Sequence, residues 1–240
     1  KAQAALTLRL GARTLGILEL VPQTRTVEYL HRTAAEWVSH PRVLEQIRSV
    51  SPRGFDPHAC LLQAEVIKMQ RYLFLQPISF WKDATKALHY ASQVDGTMIS
   101  DASLTKILDR FENASANKFD TFVRAQGHNT SGDMPWASYQ GMNNRSVGAN
   151  TFHGMAAQFA ILPYIRHKLG QPAPFHLVPK KGSIALLEQA IFGPEPYFTQ
   201  KILTIFNQPN MPTISKSHRL QVVELLLQQG VRQPRVLSLV

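Results

Sequence analysis

Between Asp101 and Phe111, the residues Leu104, Ile107, Leu108 and Phe111 fall at i, i+3, i+4 and i+7, with Lys106, Asp109 and Arg110 on the other side. That spacing gathers four apolar side chains on one face of a 3.6-residue period and predicts an amphipathic helix. Phe119, Phe122 and Val123 continue the apolar face beyond the small residues at 114–116. Similar signals recur along the chain. Thr26 to His40 reads as a helix closed by Pro41, because proline disfavours helical geometry in the residue before it. Asp56-Pro57 is a start signal, an acidic N-cap followed by proline at the first helical position. From there Leu62, Val66, Met69 and Leu73 recur at spacings of four, three and four.

Further helices are predicted from Ser79 through Ala91, from Thr151 to Leu169 and from Ser183 to Phe192. Two more follow, Pro196 to Asn207 and Ser217 to Gln229, and each is bounded by Pro or Gly. Phe175–Val178 reads as a short extended segment. At the N-terminus Leu6, Leu8 and Leu10 alternate with Thr7 and Arg9, and Leu15–Val21 is apolar after Gly11. This reads as two short strands or an extended arm. The fold expected is mainly α: a helical bundle or irregular α-solenoid of about eight to nine helices with a short N-terminal extended arm or β-hairpin.

Residues 127–150 are rich in Gly, Ser, Asn and Thr and carry Pro135, Trp136 and Tyr139. A connection that long without periodicity marks a boundary or a functional loop. Three regions are therefore expected: 1–126, an arm plus helical scaffold; 127–150, a linker; and 151–240, a basic helical region.

The single cysteine, Cys60, cannot form an internal disulfide or complete a zinc site, and no apolar run approaches the ~20 residues of a membrane span. What remains is a chain that can bury a core, with 26 Lys+Arg against 16 Asp+Glu and a net charge of +10. Residues 1–133 carry 16 basic and 13 acidic side chains, a net +3, and residues 134–240 carry 10 and three, a net +7. Met134–Leu187 contains no carboxylate. Such a surplus attracts an anionic partner, phosphate or an acidic peptide. The candidate anion-binding cations are Arg145, Arg166, Lys168, Lys180, Lys181 and Lys201, with Lys216 and Arg219 as rim. Lys180 and Lys181 precede the Ser183 helix start, where outward N–H groups can hold a phosphate, although the order of residues is not that of a nucleotide-binding loop. Trp136 and Tyr139 lie among these cations and are candidates for stacking on bases.

Catalytic patterns are missing: there is no HExxH, GxSxG, GxGxxG or CxxC. His58 and Cys60 stand two apart at a helix start and do not face each other, so Cys60 is expected to be buried and structural. His153, His167 and His176 lack metal-ligand spacing, and Asp83, Asp101, Asp109 and Asp120 are expected on solvated helix faces. No catalytic residue, metal or cofactor is expected.

The run from Asp83 to Val94 (DATKALHYASQV), followed by Asp101 to Phe111 (DASLTKILDRF), is a short helix, a small-residue turn, an Asp and a second helix with leucines three to four apart. It resembles the helical repeats of organellar RNA-associated proteins, FAST-kinase-like and related α-solenoid proteins. The resemblance spans residues 83–111 and implies a mitochondrial or plastid location with RNA processing or ribosome association. Residues 1–18, Arg-bearing and acid-free, share the composition of organellar transit peptides.

The function expected is thus a non-catalytic RNA-binding or ribonucleoprotein structural component of the mitochondrial matrix, associated with RNA or protein subunits of a larger assembly. One alternative is a viral nucleoprotein with a basic groove and an exchanged N-terminal arm. Another is an adaptor or structural subunit of a large protein assembly whose basic face binds an acidic partner.

Overall fold

Ala2 to Arg13 is made almost wholly of strong helix formers (Ala, Leu, Gln, Arg), and the segment folds as helix α1 (Ala2–Thr14). Propensity therefore overrides the Leu6/Leu8/Leu10 alternation that suggested a strand. Leu15 at φ +51° and Gly16 at φ +77° reverse the chain, and β1 (Leu18–Val21) pairs antiparallel with β2 (Thr26–Tyr29). The helix expected over 26–40 is thus half strand. Thr26, Val27 and Tyr29 are β-branched or aromatic and find a partner strand, and only α2 (Arg32–Val38) is helical. Pro41 does not merely end that helix. It opens α3 (Pro41–Val50) at the first helical position.

The computed structural model describes residues 2–23, 26–52, 54–71, 77–125, 136–138, 151–170, 185–194 and 214–229. Among these are ten α-helices and one two-stranded hairpin, so the fold is mainly α with a small N-terminal hairpin. The chain divides into two units, Lys1–Arg53 and Gly54–Val240. That division is not the one expected at 127–150. Helices from both sides of 127–150 share one core.

In the second unit Asp56 caps α4 (Pro57–Arg71) by accepting from the Ala59 N–H at 2.9 Å. Its other oxygen accepts from the Asp95 N–H at 2.7 Å, tying the start of α4 to the end of α5 (Pro77–Gln93). The next helix, α6 (Asp101–Ala125), is continuous through the small residues at 114–116. Leu62, Val66, Met69, Leu104, Ile107, Leu108 and Phe111 are all buried, as their periodicity requires.

Thr151 to Leu169 is two helices rather than one, α7 (Phe152–Gln158) and α8 (Leu162–Leu169). Ala160 takes φ +54°, the Ile161 N–H donates to the Ala156 carbonyl, and the Ala160 N–H donates to the Ala157 carbonyl. This is a Schellman stop, and Pro163 follows in the first turn of α8. The described body is completed by α9 (Leu186–Phe192) and α10 (Lys216–Gln228), the latter capped by Ser215. The expected helix at 196–207 and the extended segment at 175–178 lie outside the described residues. No helix among the described residues is long and apolar enough to cross a membrane.

Candidate nucleic-acid interface

Twenty-five residues of α6 sort their side chains into three stripes. The apolar stripe enters the core. A second stripe carries Asp101, Asp109 and Glu112 towards α8, which packs against α6. Arg166 Nη1 lies 3.0 Å from Asp101 Oδ2, and Lys168 Nζ lies 2.8 and 3.1 Å from the two Asp109 oxygens. Lys168 also stands 5.4 Å over the Tyr164 ring. Tyr164 is buried among Phe152 and His153, and its hydroxyl has no hydrogen-bond partner among the described residues. Burial, with Glu112 and Asp109 adding to it, pushes that phenol far above its ordinary value. Burial and the neighbouring Asp109 likewise hold the Glu112 carboxyl above the usual carboxylate range, with Lys168 pulling the other way.

The third stripe is Ser103, Lys106, Arg110, Asn113 and Asn117, all exposed and spaced i, i+3, i+7, i+10 and i+14. It runs about 21 Å along the helix. These side chains are hydrogen-bond donors or cations, with no carboxylate among them. Neither Lys106 nor Arg110 enters any ion pair among the described residues. Because Asp101 and Asp109 are paired with α8, Lys106 and Arg110 are left to solvent, while Asp120 further along α6 is exposed as well. Lys106 and Arg110 were not among the expected site residues. Their recurrence with Asn113 and Asn117 at one helical face was the signal that could have found them.

The expected cations meet different fates. Arg166 and Lys168 belong to a carboxylate-free run in sequence, yet in space both are paired with α6 acids. The Arg166 side chain remains 54% exposed and can still take a second anion, whereas Lys168 is largely enclosed. Lys216 is exposed at the start of α10, which packs on α8. Arg219 does not stand open to an anion: its guanidinium fills the space over Gly193 (φ +70°), where a Cβ would collide with it. Arg145, Lys180, Lys181, Lys201 and Tyr139 lie outside the described residues.

Trp136 is no stacking platform. It opens a single 3-10 turn (Trp136–Ser138) and is 4% exposed. Its ring lies 5.6 Å from Phe80, 5.9 Å from Trp81, 6.1 Å from Phe111 and 6.0 Å from Phe152. Edge-on and tilted pairs of this kind favour a fixed core position.

Two further expectations change. Cys60 is exposed, because it falls on the outer side of α4, opposite Leu62 and Val66. Asp83 is buried, not solvated. It pairs with Lys68 between α4 and α5, with Glu65 3.8 Å from the same ammonium. Burial opposes the charge on Lys68, but Asp83 and Glu65 outweigh it and the ammonium is held above its ordinary value. Burial raises the Glu65 carboxyl. No group of three or more metal-ligating side chains occurs among the described residues.

No family model, curated protein or solved structure matches the chain. The likeness of residues 83–111 to organellar helical repeats therefore rests on those residues alone.

Proposed function

We propose that the chain is a non-catalytic RNA-binding component of a ribonucleoprotein, contacting phosphate through the outer face of its second unit. The observation that carries this reading is the segregation of charge on α6. Asp101 and Asp109 are taken up by α8, and Lys106, Arg110, Asn113 and Asn117 form an open donor stripe, with Asp120 exposed beyond its end. Arg166 on α8 and Lys216 on α10 extend the cationic surface across helices that pack side by side. Phosphate is recognised by such donors without reading sequence, so the substrate class is the nucleic-acid backbone. The mitochondrial matrix is the location that accords with the likeness of residues 83–111.

The test is a salt titration of single-stranded RNA binding by the full chain. Affinity should fall steeply from about 50 to 200 mM salt, and Lys106→Ala/Arg110→Ala should lower the log–log slope by about 2. Affinity independent of salt, or a slope untouched by the double variant, would overturn the reading. Stronger binding of a poly-Glu peptide than of RNA would instead support the adaptor of an acidic partner.

The nucleoprotein reading has its own observation: among the described residues of 1–53, regular secondary structure surrounds a single buried apolar side chain, Leu20. A unit so built is suited to exchange onto a neighbour. RNA-dependent growth of ordered multimers is the result that would favour it.

A further inference from the structure

The hairpin of the first unit has one edge partly covered by the end of α1 and one open. Its register sets Leu18 opposite Tyr29, Glu19 opposite Glu28, Leu20 opposite Val27 and Val21 opposite Thr26. The Leu30 N–H donates to the Ile17 carbonyl at 3.0 Å. That bond fixes the phase of the ladder, because hydrogen-bonded and non-hydrogen-bonded pairs alternate in an antiparallel sheet. Glu28 consequently directs its main-chain groups towards β1, and Val27 and Tyr29 direct theirs outward. On β1 the corresponding outward N–H, that of Leu18, is taken by the Thr14 hydroxyl at 3.3 Å. On β2 no described residue bonds to the outward groups, and all four residues are exposed.

We propose that β2 pairs antiparallel with β2 of a second copy of this chain about a two-fold axis at Val27, joining two hairpins into one four-stranded sheet. The inference concerns the first unit alone and stands apart from the phosphate reading of the second. Self-complementarity selects the partner. With the axis at Val27, the two valines face each other and exchange both main-chain hydrogen bonds. Thr26 then faces Glu28 of the second copy, and the Thr26 hydroxyl already donates to a Glu28 carboxylate at 2.7 Å within one chain. An axis at Glu28 would set two carboxylates directly opposite, which is destabilising. An axis at Tyr29 would set Glu28 against Leu30.

The surrounding surface needs cover. A two-stranded sheet is at best marginal alone, and β2 carries no Pro or Lys to guard its edge. Nine large apolar side chains of this unit are exposed, among them Val27, Tyr29, Leu30 and Trp37. Val27, Tyr29 and Leu30 of these lie on or next to the β2 edge itself. Pairing through β2 about a two-fold axis is isologous and so closes at two copies, and on β1 the outward Leu18 N–H is already taken by Thr14.

The test is sedimentation of the nuclease-treated full chain over about 1–100 μM. A monomer–dimer equilibrium is expected, with Val27→Lys weakening it by about tenfold or more. A second measurement does not depend on how well that variant folds. Cys60→Ser/Val27→Cys should oxidise to a disulfide-linked dimer, because facing residues lie about 5.5 Å apart in such a pair and disulfides span 4.4–6.8 Å. Cys60→Ser/Glu28→Cys should cross-link far less. A monomer throughout the range, a dimer indifferent to Val27→Lys that does not cross-link at 27, or faster cross-linking at 28 would each overturn the proposal.

Discussion

Residues 1–53 contain 23 members of the apolar set, close to the 44% of the whole chain, yet among the described residues only Leu20 of these is buried. In the second unit the same kind of composition closes around Trp81, Trp136, Phe111, Phe152, Phe159 and Tyr164. Composition is therefore not what separates a unit with a core from one without. Element length is. Helices of 15, 17 and 25 residues in α4, α5 and α6 bring whole apolar stripes into register with their neighbours. In the first unit the four-residue strands, the seven-residue α2 and the ten-residue α3 bury almost nothing against one another. A unit of 53 residues also has too little interior for its surface, which is why chains of that size lean on partners.

The contrast is broken most sharply with the tryptophans. Trp136→Ala should cost about 3–5 kcal/mol, the loss expected from emptying a buried aromatic site. Trp37, 57% exposed in the first unit, should tolerate Ala within about 0.5 kcal/mol in dilute protein. Urea unfolding of both variants makes the comparison, and equal losses would mean that the first unit has a core after all. The helix caps repeat it on a smaller scale. Asp56→Ala removes the acceptor of two N–H groups while burying the loss, and should cost about 2 kcal/mol. His31→Ala, which removes an exposed cap of α2, should cost a few tenths by the same measurement.

RNA binding sharpens the contrast from the other side. Lys106→Ala/Arg110→Ala should weaken binding about tenfold at low salt, while Arg9→Ala/Arg13→Ala on α1 should leave the salt slope unchanged. Fluorescence anisotropy across a salt series distinguishes the two. The smallest effect concerns Glu112. Its carboxyl is raised in the folded chain, so the folded state holds its proton more tightly than the unfolded state. Stability from this group is fully present below the ordinary carboxylate range and is lost as pH rises through the raised value. Glu112→Gln should therefore raise Tm at pH 7 by about 2–4 °C, what ~1 kcal/mol produces in a chain of this size. It should change little at pH 4. Calorimetry at the two pH values checks it.

The helical class, the Asp56 cap and the buried faces of α4 and α6 were legible in the sequence, because each depends on spacings of three or four residues or on one local hydrogen bond. The α7–α8 break was not. Ala160 occupies a left-handed position that usually falls to Gly, so the usual stop signal was lacking. The strand at Thr26–Tyr29 was legible only in part: its β-branched and aromatic residues favour a strand, but pairing with Leu18–Val21 settled it.

The candidate interface divides in the same way. Charge surplus and its bias toward the C-terminal half are properties of composition, and the sequence determined them fully. Which cations remain open to solvent was decided only by the tertiary structure. Arg166 and Lys168 are far from any acid along the chain, yet Asp101 and Asp109 reach them across a helix interface. Arg110 has Asp109 beside it in sequence and still faces water, because adjacent residues on a helix do not face each other. Asp109 lies one turn from Lys106, yet its carboxylate is taken by Lys168 across the helix interface. Coulomb energy depends on distance through space, and folding sets that distance.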